Sequence, residues 1–169
     1  MTKPIRPIRI EGDVAYVTLT KGYEAIIDAA DVPLVEGFNW SAHVNGHTVY
    51  GIRSKRNGTK TISILLHRAI MGDPNGMEID HEDGDGLNNR KANLRMATRA
   101  ENARNRRKNQ NNTSGVKSVD WDPVRKKWRA RIKVDGKIHY LGRYETIEMA
   151  KTAYVAASEK MHGEFGRAA

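Results

Sequence analysis

Eleven consecutive residues, Arg104 to Ser114 (RNRRKNQNNTS), contain neither an acid nor an apolar side chain. Such a run cannot contribute to a buried core, so it separates whatever folds before it from whatever folds after it. It predicts a basic linker over residues 106–114, mobile on its own. With 169 residues, the chain has the length for one domain or two small ones, and the linker divides it into two parts.

The charge of the chain is localised around that linker. Arg95 to Arg143 holds 15 Lys/Arg against 4 Asp/Glu, a balance of +11, whereas the whole chain is +9, so the remainder sums to −2. A basic segment in a chain of pI near 9.9 is the electrostatic footprint of nucleic-acid binding. A solvated surface with a flexible tether is the plain alternative for charge alone. The 38% hydrophobic content and mean hydropathy of −0.68 describe a soluble protein with modest cores. No apolar run approaches the roughly 20 residues of a membrane span, and the opening MTKPIRPIRI lacks the apolar block of a signal peptide. A cytoplasmic location without a membrane partner is therefore expected. No heptad or apolar stripe announces a dimer, so a monomer is expected. The absence of cysteine excludes disulfides and thiolate zinc sites. Any metal must be held by oxygen or imidazole, which points to a hard ion such as Mg²⁺.

Patterning gives an α+β chain. Residues 1–60 are β-rich: Val14–Thr18 alternates, Gly12-Asp13 is a turn, and Ser41–Val44 and Thr48–Arg53 flank the hairpin signal Asn45-Gly46. Asp28 is expected to cap a short helix ending near Glu36, with Asp31 in its first turn. His43 and His47 are read as solvated, and the region as a scaffold. Residues 61–105 form a second region. Ile62, Leu65, Leu66 and Ile70 anchor it, and Gly72–Gly76 is a loop. Met77–Asp80 and Asn93–Met96 are short strands. A helix begins at Thr98, where Glu101 three residues on completes a capping box. Residues 115–169 read as three strands, Val116–Asp122, Lys127–Val134 and Ile138–Tyr144, with a tight turn at Asp135-Gly136. On the second strand Trp128, Ala130, Ile132 and Val134 alternate with Arg129, Arg131 and Lys133. A helix from Thr146 carries Ile147, Ala150, Tyr154, Ala157 and Met161 on one side. That gives a sheet covered on its apolar face by one helix and cationic on the other, a shape able to enter a major groove.

The chemistry concentrates in Ile79–Asn105. Asp80 and His81 end a short strand, a Gly/Asp/Asn-rich turn follows, Asn93 opens the next strand, and Asn102 and Asn105 share a helix face. Hydrolysing a phosphodiester needs an activated water, stabilised phosphoryl charge and help for the departing oxygen; one metal ion and one base supply all three. His81 suits the base, since an imidazole of ordinary pKa accepts a proton at neutral pH. Asp80 and Asn102 offer oxygen ligands for Mg²⁺, Asn93 can hold the His81 loop across the hairpin, and His67 supports the site or closes the core. Asn105 accompanies Asn102 behind the ligands. The Asp and Asn residues of Glu82–Asn89 are read as ordinary turn formers. Asp83-x-Asp85 lacks the rest of a calcium-loop spacing and is set aside.

From His67 (HRAIMG) through DH, GDGLNNR, NL, T, EN and N, about a quarter of the chain resembles HNH endonucleases of the homing type. That resemblance implies a ββα-metal module, with Asp80 and Asn102 as metal ligands, His81 as general base, Asn93 as the central Asn, and one Mg²⁺ or Mn²⁺ per site. Asn102 stands where many such enzymes carry a last His. The segments SGVKSVDW, KKWRARI, YLGRY, TIEMAKTAYVAA and HGEF resemble the plant APETALA/ethylene-response-factor DNA-binding domain. The likeness implies that Lys117, Arg129, Arg131, Lys133 and Tyr140 face duplex DNA. The charge of the linker itself is read as placing Arg104, Arg106, Arg107 and Lys108 along phosphates. The family usually has Arg at the Lys117 position, Trp at the Tyr140 position and an acid near Arg131, so its preferred sequence does not transfer. The combination resembles mobile phage or prophage endonucleases acting on double-stranded DNA in a bacterial or phage-infected cell. Two rivals stay open: a DNA-binding regulator or architectural protein with an inactive HNH module, and an RNA-binding protein. The intact Asp80, His81, Asn93 and Asn102 set speaks against the first. The scarcity of stacking aromatics beside Tyr140 speaks against the second.

Overall fold

Period-two alternation along Val14–Thr18 and Glu24–Asp28 turns Ala15, Val17, Ala25 and Ile27 inward, where all four are buried. The computed structural model describes residues 4–72, 74–105 and 112–166. They belong to two compact units, Met1–Ala97 and Thr98–Ala169. Arg106, Arg107 and Lys108, and with them the expected mobility of the linker, lie outside the described residues.

Unit 1 opens with an antiparallel meander of β1 (Ile8–Glu11), β2 (Val14–Thr18) and β3 (Glu24–Asp28), in that spatial order. A short helix α1 (Val32–Val35) follows, and the Trp40 indole, fully buried, donates to the Val35 carbonyl at 2.9 Å. The second sheet is β4 (Ser41–Asn45), β5 (Thr48–Asn57) and β6 (Lys60–Leu65), leading into α2 (Leu66–Met71). Its first turn lies at Gly46-His47, one residue beyond the expected Asn45-Gly46, because Asn45 pairs with Thr48 in the ladder. Hairpin β7 (Glu78–His81) and β8 (Leu94–Ala97) completes the unit. Leu66 and Ile70 share one core with Val17, Ile27 and Trp40. The position between residues 60 and 61 therefore falls inside a continuous core. Ile62, expected as an anchor, is exposed, in the outer half of the edge strand β6, whose first four residues all face solvent.

Asp28 does not cap the helix that follows it. Its carboxylate instead accepts from the Lys91 backbone N–H at 2.9 Å, and the Lys91 ammonium pairs with the buried Asp31 at 2.5 Å. Two acids expected to serve a helix N-terminus thus hold a segment about sixty residues away in sequence. The β-rich start of the chain is a seat for the loop that follows His81.

Unit 2 begins with α3 (Arg99–Asn105), capped as the sequence predicts: Thr98 Oγ1 accepts from Glu101 N, and Glu101 Oε2 accepts from Thr98 N at 2.8 Å. The sheet of β9 (Val119–Asp122), β10 (Lys127–Val134) and β11 (Lys137–Tyr144) runs in the order β11-β10-β9 and is antiparallel throughout. Asp135 and Gly136 both take positive φ, the primed-turn geometry that matches strand twist. Helix α4 (Ile147–His162), capped by Thr146, lays Ala150 and Tyr154 on Val119, Ala130 and Ile132. Ile147 and Ala157 pack against the same core, as the expected stripe requires, whereas Met161 is exposed and Ser158 is buried. The strand β9 starts three residues later than expected because Ser114 gathers this segment into a turn, its hydroxyl bonding the Val116 and Val119 carbonyls. Helix α3 is fastened within this unit: Arg104 pairs with Asp135 at 2.9 Å, and the Lys117 ammonium donates to the Arg104 carbonyl at 2.5 Å.

Candidate functional site

His81 is the last residue of β7, and the ladder with β8 sets its direction by pairing it with Leu94. The chain then leaves the sheet for the loop 82–90, which is tied down at many points. Asn93, at the end of the 3-10 turn Lys91–Asn93, donates to Asp83 Oδ1 at 2.9 Å and to the Asn88 carbonyl at 2.8 Å, and accepts from Asp83 N at 3.0 Å. Its own carbonyl accepts from Glu82 N at 2.9 Å. A single asparagine thereby closes the loop beside His81 across the hairpin. Asp83 and Asp85 bond backbone N–H groups two residues on, as turn-forming acids do. Burial alone would raise the Asp83 pKa, but the Asp85 N–H and the Asn88 and Asn93 amides hold it below the ordinary carboxylate value.

The loop also adds itself to the edge of β3. Ile26 N donates to the Leu87 carbonyl at 2.8 Å, and Asn89 N donates to the Ile26 carbonyl at 2.7 Å, forming a parallel bridge of Ile26 with Asn88. Gly86 makes the approach possible. A Cβ there would stand 2.5 Å from the Val49 carbonyl and 2.6 Å from the Tyr50 ring.

Three rings meet under this loop. His67 and His81 pack edge to face with centroids 5.0 Å apart, and Tyr50 lies 6.0 Å from the first and 5.8 Å from the second. Both imidazoles are buried. Burial, with His81 and Arg68 nearby, lowers the His67 pKa to about 3. Burial also lowers that of His81, against the opposing pull of the Asn89 bond and of Asp83, Asp80 and Asp85. An imidazole that is neutral at physiological pH can take a proton, which is what a general base must do. His67 thus forms the wall behind His81.

Asp80 is buried, and its Oδ2 accepts from Arg95 Nε at 3.0 Å and lies 2.9 Å from the other guanidinium nitrogen. Among the described residues no three His, Cys, Asp or Glu side chains converge as a metal cage. Mg²⁺ does not need one, because it keeps several waters and takes one or two protein oxygens. Taken singly, the carboxylate of Asp80 and the amide oxygen of Asn102 are oxygen donors of the hardness that Mg²⁺ prefers. Asn102 and Asn105 stand three apart on α3, Asn102 half-buried and Asn105 buried, and belong to unit 2; Asp80, His81, Asn93 and His67 belong to unit 1.

Sequence reasoning passed over four residues of this centre: Asn89, Tyr50, Gly86 and Arg95. Asn89 is fully buried, yet in sequence it is one of several polar residues in a turn. Only its adjacency to an Arg in the GDGLNNR element sets it apart. Tyr50 sits on a strand with no chemistry-bearing neighbour, and nothing local marks it.

The outward face of the β9–β11 sheet carries Lys127, Arg129, Arg131, Lys133, Arg143 and Tyr140, as the register requires. It also carries two acids. Asp120 pairs with Arg129 at 2.5 Å and with Arg131 at 2.7 Å, and Asp122 pairs with Arg143 at 2.9 Å. The face expected to be cationic is therefore an arginine array paired with carboxylates. A bulge between Ala130 and Arg131 sets Arg131 opposite Tyr140, which is exposed. Lys117 and Arg104, expected at DNA, are both half-buried and bonded within the unit.

Comparison with known proteins places two families on the chain, in this order. The HNH endonuclease family matches residues 71–104, and the AP2 domain family matches residues 114–164. Protein 3.8 of Escherichia phage T7 is 37% identical over 94 residues, covering 56% of this chain and 77% of that protein. The uncharacterized HNH endonuclease L560 of Acanthamoeba polyphaga mimivirus is 28% identical over 155 residues, covering 90% of this chain and 79% of that one. No solved structure matches.

Proposed function

Because the chain belongs to the HNH endonucleases, with an AP2 domain behind the nuclease motif, we propose that it is a metal-dependent endonuclease of double-stranded DNA, of a homing or phage nicking type. HNH nucleases generally use a divalent metal, and here Asp80 and Asn102 would hold one Mg²⁺ or Mn²⁺. When bound, that ion supplies charge stabilisation for the phosphoryl and departing 3′ oxygens. His81 takes a proton from the attacking water. Asn93 keeps the loop beside it closed, His67 and Tyr50 exclude water behind it, and Asn105 supports the helix that carries Asn102. Residues 61–105 cut, and residues 115–169 hold and select duplex DNA. The linker 106–114 runs along phosphates, and Arg129, Arg131, Lys133, Tyr140, Lys117 and Arg104 are the contacts on the folded part. The ends left would be 5′-phosphate and 3′-hydroxyl.

The observation that carries this reading is the buried imidazole of His81 at a strand end, neutral and ringed by a loop that Asn93 clamps. Its test is cleavage of supercoiled plasmid and phage DNA by the wild type and by His81→Ala, with Mg²⁺, Mn²⁺ or EDTA. Nicking or linearisation that needs metal and vanishes in His81→Ala, with DNA affinity unchanged, is the expected outcome. Cutting that survives in the variant would sink the assignment of the base.

One observation favours a second reading, a DNA-binding regulator with an inactive nuclease module. The Arg95 guanidinium lies on the Asp80 carboxylate and supplies the positive charge that an ion would bring. On that reading the wild type binds DNA under every metal condition and cuts under none.

A further inference from the structure

The side-chain amide of Asn89 has both of its polar ends committed. Its Nδ2 donates to the Leu87 carbonyl at 3.0 Å and lies 3.4 Å from the Gly86 carbonyl, while its Oδ1 lies 3.3 Å from His81 Nε2. Turning the amide over would set its oxygen against two carbonyl oxygens, so the orientation is fixed by its surroundings. Its backbone is fixed as well, through the 2.7 Å bond from Asn89 N to the Ile26 carbonyl on β3. The residue is fully buried.

An amide oxygen only accepts. The partner nitrogen of His81 must therefore carry the hydrogen, and a neutral imidazole protonated at Nε2 keeps its lone pair at Nδ1. We propose that Asn89 is a positioning residue of the nuclease centre: it fixes His81 in the Nε2–H tautomer and so makes Nδ1 the atom that receives the proton of water. The proposal deepens the reading of His81 as general base and rests on it. Asn89 acts through His81 and touches no reacting atom. In the proton transfer, one O–H bond of water breaks as the Nδ1–H bond forms, and the imidazolium then carries both hydrogens, still donating to Asn89.

The experiment reads the tautomer directly and the rate separately. Full-length protein carrying ¹⁵N-histidine is studied by NMR at neutral pH, with the His81 signals assigned by their loss in His81→Ala. The expected spectrum has a protonated Nε2 and an unprotonated Nδ1. A His81 protonated at Nδ1 overturns the proposal, whatever the protein cuts. In the cleavage assay, Asn89→Leu removes the acceptor at similar size, and kcat should fall on the order of 100-fold, the lower end of what a positioned base contributes, with KM and DNA affinity little changed. Asn89→Asp keeps an oxygen toward Nε2 but sets its second oxygen against the Leu87 and Gly86 carbonyls, so it should recover only part of the loss. Should Asn89→Leu fail to fold, the wild-type tautomer and the Asn89→Asp rate still decide. Leu and Asp variants that both fold and cut like the wild type overturn it. A wild type that never cuts while showing the Nε2–H tautomer refutes the nuclease reading and leaves the role of Asn89 in fixing the ring intact.

Discussion

His67 enters the fold as a neutral ring: burial beside His81 and Arg68 lowers its pKa to about 3, whereas in the unfolded chain it titrates near 6.5. Between those values the unfolded state binds more protons than the native state, so stability rises with pH. The contribution is complete above about pH 6.5 and is lost as pH falls toward 3, at up to about 1.4 kcal/mol per pH unit for one proton. The urea midpoint should accordingly fall between pH 6.5 and 4.5, and His67→Phe should flatten that limb. Equal slopes in the two proteins would assign the acid sensitivity elsewhere. The same residue shows what a linear reading can reach. Asp80, His81, Asn93 and Asn102 stand out as candidates because chemistry-bearing types stand at family spacing along about 23 positions. His67 was legible only as a His near an apolar run, and Asn89 not at all. Its role comes from burial and from two carbonyls that turn its amide, and neither is written in a local pattern.

The alternation of β10 was legible to the residue, Lys127 to Val134, because a strand with one buried face must repeat every second position. What the alternation could not give was the partner of each arginine. Register places Arg129 opposite Asp120, and the Arg131 guanidinium reaches the same carboxylate. Arg131→Ala should weaken duplex binding by about 1–3 kcal/mol if Arg131 reads a base edge, with relaxed sequence preference. Asp120→Asn should act oppositely. It removes a negative charge from the reading face and releases two guanidinium groups, so affinity for random-sequence duplex should rise about twofold to fivefold, on the scale of an exposed ion pair. Fluorescence anisotropy with labelled duplexes measures both. An Asp120→Asn protein that binds more weakly would mean that the paired geometry itself meets the DNA. Similarly, Asp28 looked like a helix cap by position, and the competing demand of the Lys91 N–H, far off in sequence, took its carboxylate.

Across the whole chain, positive charge is gathered between Arg95 and Arg143, and Arg106, Arg107 and Lys108 are one of its two runs of three consecutive basic residues. Replacing these three with Gln should reduce the slope of log affinity against log salt by about 0.9 for each phosphate they contact. Titration of binding at several ionic strengths tests this, and an unchanged slope would remove them from the interface. The acid-free linker announces a division, but the boundary between the two units falls between Ala97 and Thr98, so helix α3, which precedes the linker, belongs to unit 2. Nor could the sequence show the extent of the first part, since Leu66 and Ile70 complete a core begun by Ala15 and Val17. The HNH match at residues 71–104 also runs past Ala97, where unit 1 ends. Its imidazole loop lies on the open edge of β3, held by the main chain of Ile26 and the carboxylate of Asp28. Those residues stand far upstream of anything a motif comparison selects. The motif is accordingly no transplantable cassette: spliced alone into a foreign host, it would arrive without the strand it leans on, and the recipient would have to offer a bare edge running in the same direction.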